Sequence, residues 1–506
     1  MAHALVRAVS RLSRHHLLVT FRLTERATFS VDRPDVRGLR ETISKLKASG
    51  YVETVIKDRL GLDDLADLNW RHVPMYRAER LAARDVLALA IDLLLLQGAL
   101  PKHELAQLFV PAEQEMLRQS GILAADETGR ARASLFPVGD RLIFSDHAWP
   151  ELPHPGYTTV PADHVMAVGP DSRHLARCTT RRPFRTALDL CTGSGIHALL
   201  ASAHTERVLA VDINPRAASC TRFNAQASGI ENLEVAVGDL YEPVRGQRFD
   251  LITANPPFVP SPLDVLKFRD GGRSGEEIQK RIVAGLPDHL AQGGMAQIVT
   301  ELGERDGGEP TAHRLRKWLH GAPMDIHILR LREHTAATYA IGHAKGDDYQ
   351  TTLDSIAEWA ANLRAQGYTR VVSIVVSFEW SDPAFGPPWE RVDEAPPPRR
   401  AAGAEIEAAF LAERSAAHGN LSNKSIYRAG PIALLDAQVL GQNLSAKAKA
   451  TVLGRALSIE HQLDPIEREI LLRLEGRTAI QDLGVEDPAV IAAVRSLLRR
   501  QLIRAE

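Results

Sequence analysis

Apolar positions recur every three or four residues over 36–49 and 77–97, a spacing that lines one face of a helix. Two shorter helical stretches, 102–109 and 112–119, close at Gly121. The period then changes, and 122–125, 131–136 and 141–144 read as strands separated by turns at Asp126-Glu-Thr-Gly129 and Pro137-Val-Gly-Asp140. Helices followed by a small strand ribbon predict a helical, winged-helix-like unit over residues 1–145. From residue 186 short apolar runs alternate with helical stretches: strands at 186–190, 207–211, 233–237 and 249–254, a helix at 278–290, strands at 295–300 and 325–332, a helix at 358–366 and a strand at 371–378. Continuous apolar runs suit strands buried on both faces, and their alternation with helices predicts a Rossmann-like α/β domain over 146–382. The proline-rich stretch 383–400 reads as a stiff, exposed linker. Helical patterns at 466–474, 479–483 and 488–502 then predict a second helical, winged-helix-like module over 401–506.

Composition narrows the function classes. A chain of 506 residues suggests about three domains, and 44% hydrophobic with 25% charged residues is ordinary globular usage. A net charge of −2 offers no general attraction for nucleic acid. Local basic clusters exist at Arg7, Arg11, Arg14 and Arg22, and at Arg173, Arg177, Arg181, Arg182 and Arg185. They read first as solvated faces, with contact to a polyanion as the alternative. The helix at 112–119, placed where a winged helix would meet DNA, carries Glu113 and Glu115 against Arg118, which favours docking to protein over phosphates. Cysteines at 178, 191 and 220 are too few for a disulfide framework or a four-cysteine metal site, and no metal is expected. His15-His16, His313 and His320 read as surface or helix residues. The most apolar stretch, 86–100, contains Asp92 and is too short to span a bilayer, so it reads as a buried helix without membrane association. Without a signal-peptide pattern at the amino terminus, the expected compartment is the cytoplasm.

Chemistry concentrates in the central domain. Asp189-Leu-Cys-Thr-Gly-Ser-Gly195 joins a strand to a helix, and its glycines permit a tight turn that lets a ligand lie against backbone at the amide end of that helix. Asp212 ends the next strand, where a carboxylate accepts hydrogen bonds from both hydroxyls of a ribose, and Ile213 follows it. Asp239, with Leu240, ends the third strand and suits an adenine amino group. Asn255 leaves the fourth. The candidate cofactor-binding residues are therefore Asp189, Cys191, Thr192, Gly193, Gly195, Asp212, Ile213, Asp239, Leu240 and Asn255, along the carboxyl-terminal edge of one parallel sheet. The segment 157–182 leads into this sheet and is expected to cover one end of the ligand, with Gly169 and Arg173 nearest to it. Cys191 reads as small-residue packing in the turn.

The glycine turn, Asp212, Gly238-Asp239 and Asn255-Pro-Pro-Phe258 together resemble the class I methyltransferases that use S-adenosylmethionine. Within that class, the tetrad followed by Phe268-Arg-Asp-Gly-Gly-Arg-Ser-Gly-Glu-Glu-Ile278 is similar to the release-factor glutamine methyltransferases and other small-methyltransferase-domain proteins, over about residues 150–345. A dinucleotide dehydrogenase shares the turn but leaves the tetrad unexplained. The resemblance implies S-adenosylmethionine as cofactor and Asn255, Pro256, Pro257 and Phe258 as the catalytic residues. Asn255 and a neighbouring main-chain carbonyl, that of Pro256, would accept the two N–H bonds of a planar nitrogen, the prolines would stiffen the loop, and Phe258 would stack on the acceptor. The favoured acceptor is an amide nitrogen of a protein or peptide. Alternatives are an exocyclic base amine in RNA or DNA, a biosynthetic peptide modified even at a carboxylate, and a non-catalytic protein that keeps the cofactor fold. Phe258 stands where the release-factor enzymes usually carry tyrosine.

Overall fold

The computed structural model describes residues 35–126, 128–147, 161–263, 266–346, 348–418, 425–437, 447–474, 476–483 and 487–505. Arg7, Arg11, Arg14, Arg22 and His15-His16 lie outside these, as do residues 157–160 of the segment leading into the core.

The centre is an eight-stranded mixed sheet of β1 (Phe184–Leu190), β2 (Thr205–Asp212), β3 (Leu233–Val237), β4 (Phe249–Ala254), β5 (Leu290–Glu304), β6 (Met324–Thr335), β7 (Arg370–Trp380) and β8 (Glu390–Glu394). Their spatial order is β8-β6-β7-β5-β4-β1-β2-β3. Strands β3, β2, β1, β4 and β5 run parallel, and β7 inserts antiparallel to both β5 and β6. The apolar runs explain the arrangement: Leu188, Leu190, Ile252 and Ile298 are at most 1% exposed, as strands covered on both faces require. The order doubles back between β1 and β4, and that switch point opens a crevice at the carboxyl ends of β1, β2 and β4.

Helices that matter for the site are α1 (Pro170–Cys178), α2 (Ile196–Ala201), α3 (Pro215–Ala227), α4 (Glu277–His289), α5 (Ala336–His343) and α6 (Tyr349–Ala365). On one face α4 lays Ile282, Val283 and Leu286 on the sheet. On the other, α1 shares a core with Met295, Val299 and Val375. The helix Gly403–His418 joins that second core through Ile406 and Phe410. The stretch 383–400 is therefore no exposed linker: Glu390–Glu394 pairs in parallel with β6 as the sheet's edge strand, Asp393 and Ala395 are buried, and the sheet extends past residue 382.

The amino-terminal unit packs on α2 and α3. Its antiparallel hairpin, Ser134–Val138 with Arg141–Ser145, is tied to α3 by Asn224, which accepts from Phe144 N–H at 2.9 Å and donates to Phe144 O at 2.8 Å, with Phe144 edge-on to Phe223. The long helix expected at 77–97 is two: helical geometry stops at Arg80 and resumes at Val86, with Asp85 capping Ala88 N–H. Asp92 is buried against Arg77 and Arg84, each at 2.7 Å, which explains a carboxylate inside the most apolar stretch. Leu123 and Ala131 form one isolated bridge where longer strands were expected. In the carboxyl-terminal part, helices Pro465–Arg473 and Pro488–Arg499 accompany two three-stranded sheets drawn from Ser425–Arg428, Thr478–Ala479 and Ile503–Ala505, and from Ile432–Ala437, Lys447–Val452 and His461–Leu463.

Candidate active site

The turn after β1 is held from behind by Asp189. Its carboxylate is 1% exposed and accepts from Thr192 Oγ1 at 2.6 Å, Thr253 Oγ1 at 2.8 Å and Ala198 N–H at 3.2 Å, while burial pushes its pKa up to about 7. Asp189 thus braces the turn and the start of α2 from beneath. Gly195 caps α2. Two non-glycine residues adopt left-handed backbone here, Cys191 at φ 55° and Leu240 at φ 50°, and such strain gathers at ligand sites.

Asp212 crosses from β2 to the turn, accepting Gly193 N–H and Asn214 N–H, both at 2.9 Å. Burial raises its pKa against those two stabilising bonds. Gly193 has φ 58°, and a Cβ built on it would meet nothing within 4 Å, because the turn borders open space. That space is a cavity of about 390 Å³. Cys191, Thr192, Gly193, Asp212, Ile213, Asn255 and Pro257 line it. The remaining expected residues stand behind or beside it: Asp189 and Gly195 support the turn, Asp239 is bound by Arg281 at 2.7 Å, and Leu240 is buried. Burial, then the Asp212, Asp189 and Asp239 carboxylates, hold the Cys191 thiol well above its usual range, so it stays protonated.

Residues 162–167 roof the cavity. They are pinned by Asn214 Nδ2 donating to Asp163 O at 2.9 Å and by Val165 N–H donating to Asp146 at 2.8 Å. Gly169 lies next to this roof without lining the cavity, and Arg173 is 2% exposed and points into the amino-terminal unit, reaching Glu53 at 2.8 Å and Pro137 O at 2.9 Å. Arg177 follows it to Asp64 and Glu53, Arg181 donates to Ala176 O, Arg182 pairs with Glu407 and Arg185 with Asp250. Arg173 and Arg177 are thus buried in internal contacts, whereas Arg182 and Arg185 stay at the surface.

Asn255 emerges from β4 with its side-chain Nδ2 donating to Ser172 Oγ of α1 at 3.0 Å. This leaves Oδ1 as the atom available to an acceptor. The tetrad loop is fixed by main-chain bonds to the following loop: Phe258 and Val259 N–H both donate to Arg269 O, and Gly271 N–H donates to Val259 O at 2.9 Å. A Cβ on Gly271 would lie 2.9 Å from both Phe258 Cα and Pro257 O, so only glycine lets these strands of chain approach. Phe258 is 8% exposed and packed among Tyr339, Trp359 and Ala340 of α5 and α6. The aromatic wall of the cavity is Phe268 instead, its ring centroid 5.0 Å from that of His164.

Residues 166–306 match the family described as the methyltransferase small domain. This segment is similar to the methyltransferase small domain. Curated relatives also match part of the chain. One named as a candidate protein N5-glutamine methyltransferase of Methanocaldococcus jannaschii is 34% identical over 23% of this chain and 61% of its own length. The ribosomal protein uL3 glutamine methyltransferase of Bradyrhizobium diazoefficiens is 37% identical over 23% of this chain and 40% of its own. The release factor glutamine methyltransferase of Geobacter sulfurreducens is 31% identical over 25% and 49%. The chain therefore spans about half the length of the curated relatives it matches.

The cofactor implied by a methyltransferase small domain is S-adenosylmethionine, and the cavity fits it. Asp212 suits the ribose hydroxyls, the exposed Ile213 offers an apolar face to a purine, and Gly193 leaves backbone open to the ligand. His197 on α2 also lines the cavity. It is 4% exposed with neither ring nitrogen hydrogen-bonded to protein, and burial lowers its pKa to about 3, so it borders the cavity as a neutral imidazole. Sequence reasoning missed His197, His164, Ser172 and the role of Phe268; only Phe268 stood inside a motif already quoted.

Proposed function

We propose that the protein is an S-adenosylmethionine-dependent N-methyltransferase acting on an amide nitrogen of a protein or peptide. The observation that carries this reading is the fixed orientation of Asn255: with Nδ2 engaged by Ser172, Oδ1 is presented beside the same cavity that Gly193 and Asp212 line. An amide nitrogen is planar and a poor nucleophile because its lone pair is delocalised. Asn255 Oδ1 and the Pro256 carbonyl accept its N–H bonds, orient the nitrogen and relieve the positive charge that grows on it during transfer. When bound, the cofactor would supply the methyl group of its sulfonium and be left as a neutral thioether, and the nitrogen would release one proton after transfer. The chain's own contribution is positioning, which in favourable cases lowers a barrier by about 7–11 kcal/mol.

The names of the relatives, which specify glutamine in release factors and in ribosomal protein uL3, support the amide over a base amine. The internal pairing of Arg173 and Arg177 also takes two members of the basic cluster before the turn away from any polyanion. In this reading the amino-terminal unit, with its winged-helix-like succession of helices and hairpin, docks a protein partner. The carboxyl-terminal module beyond Gly403–His418 is a second docking element. The site residues are Asp212, Gly193 and Ile213 for the cofactor and Asn255 with the proline carbonyl for the acceptor. No helix among the described residues is long and apolar enough to cross a membrane, and the cytoplasm is the proposed location. The test is Asn255→Ala, which keeps cofactor affinity and loses methyl transfer; near-normal turnover would remove the tetrad from the chemistry.

A further inference from the structure

A second cavity, of about 260 Å³, shares His164, Met166, Ala167 and Phe268 with the wall of the first. Its far side is built by the amino-terminal unit through Leu65, Leu68, Trp70, Leu95 and Phe136. Its near side is Gly169-Pro170 at the start of α1, two residues before Ser172, which holds Asn255. The pocket and the cavity that Asn255 lines are therefore neighbours across a common wall.

The lining decides what enters. Leucines and three aromatic rings face the space, Trp70 among them. The two cations at its edge are engaged: Arg173 by Glu53 and Pro137 O, and Arg269 by Asp270 at 2.8 Å, with its guanidinium 5.5 Å over the Trp359 ring. His164 is buried against Asp146. A phosphate or a carboxylate entering here would leave water without gaining an unengaged cation, whereas an apolar side chain would lose only its hydration. The pocket is large enough for one bulky side chain and too small for a folded element.

We infer that this inter-domain pocket is a specificity subsite for an aromatic or branched apolar side chain lying next to the methylated amide residue in the protein acceptor. The inference rests on the amide reading above and deepens it. It gives the amino-terminal unit a direct part in substrate choice, because Leu68 and Trp70 belong to that unit while Phe268 belongs to the segment similar to the methyltransferase small domain.

The test uses the full chain and short capped peptides in which a central glutamine is flanked by phenylalanine or leucine, or by serine or aspartate. Tritium transfer from S-adenosylmethionine measures methylation, fluorescence anisotropy in the presence of S-adenosylhomocysteine measures binding, and calorimetry of S-adenosylhomocysteine checks that each variant is folded. The apolar-flanked peptides should be preferred by roughly 10- to 100-fold in kcat/KM, the value of burying one large apolar side chain. Trp70→Ala and Leu68→Lys should abolish that preference without weakening cofactor binding, and Trp70→Phe should restore most of it. Flank-independent methylation in the wild type would overturn the subsite while leaving amide methylation intact. Trp70-dependent binding of apolar-flanked peptides without methylation would support the subsite and overturn the amide reading. Binding of a single-stranded RNA oligonucleotide that depends on Trp70, or binding of no peptide at all, would overturn the proposed occupant.

Discussion

Ser172 lines the cofactor cavity, and replacing it by alanine removes the hydroxyl that accepts the Asn255 side-chain N–H at 3.0 Å while leaving the turn, Asp212 and residues 162–167 in place. A neutral hydrogen bond contributes about 0.5–1.5 kcal/mol net, so Asn255 should lose that much preference for the orientation that presents Oδ1. If the bond acts wholly on the oriented transition state, the rate of methyl transfer falls by roughly 2- to 13-fold. Asn255→Ala removes the acceptor oxygen itself and should fall further, on the order of 10²- to 10³-fold, as when a single oriented polar group is lost from a transition state. The assay is single-turnover transfer from tritiated S-adenosylmethionine to an acceptor fraction at saturating cofactor, beside calorimetric cofactor affinity. Ser172→Thr, which restores a hydroxyl, should recover part of the rate. Wild-type turnover in Ser172→Ala, or a fall in turnover matched by an equal loss of cofactor affinity, would refute the positioning of Asn255 by α1.

Asp212→Ala should weaken S-adenosylmethionine binding by about 1.5–3 kcal/mol, the range for hydrogen bonds to a charged group; unchanged calorimetric affinity in a folded variant would reject the ribose assignment. A pH dependence follows from Glu301, whose carboxylate accepts Tyr339 O–H at 2.6 Å and which burial, reinforced by the Asp171 charge, pushes up to about 8. The folded state holds a proton there that the unfolded chain releases near its ordinary pKa of about 4.3. Glu301 therefore supports folding fully below that value, and the support is lost as pH rises through about 8, at up to about 1.4 kcal/mol per unit. Glu301→Gln, a mimic of the neutral acid, should flatten the decline of Tm between those pH values, and an unaltered slope would show that Glu301 is ionised throughout.

The parts of the molecule legible in the sequence are those where local residues dictate local structure. Asp189 to Gly195, Asp212 and Asn255 lie on one sheet edge because each ends a short apolar run, and the strands at 233–237 and 249–254 fall where the runs do. The parts that were not legible depend on distant partners. Glu390–Glu394 looked like linker because prolines flank it, yet its residues pair with Ile326 to Arg330 of β6, more than sixty positions earlier. Phe258 and Phe268 are both aromatic and both belong to the motif. Which one faces the cavity is set by the bridge between Val259 and Asp270 and by α5 and α6 closing over Phe258. Ser172 carries no local signal; its meaning comes from the docking of α1 over β5, which brings it to Asn255. Strands such as Lys447–Val452 escaped notice because alanine and lysine are weak strand formers that pairing alone recruits.

The most direct test of protein amide methylation is to incubate the full chain and tritiated S-adenosylmethionine with a cell extract divided into nuclease-treated and protease-treated portions, and to locate the label by mass spectrometry. The label should survive nuclease, disappear with protease, vary little across moderate salt, and reside as one added CH2 on an amide side chain. Label destroyed by nuclease, with incorporation that falls steeply as salt rises, would contradict the account and assign the acceptor to nucleic acid.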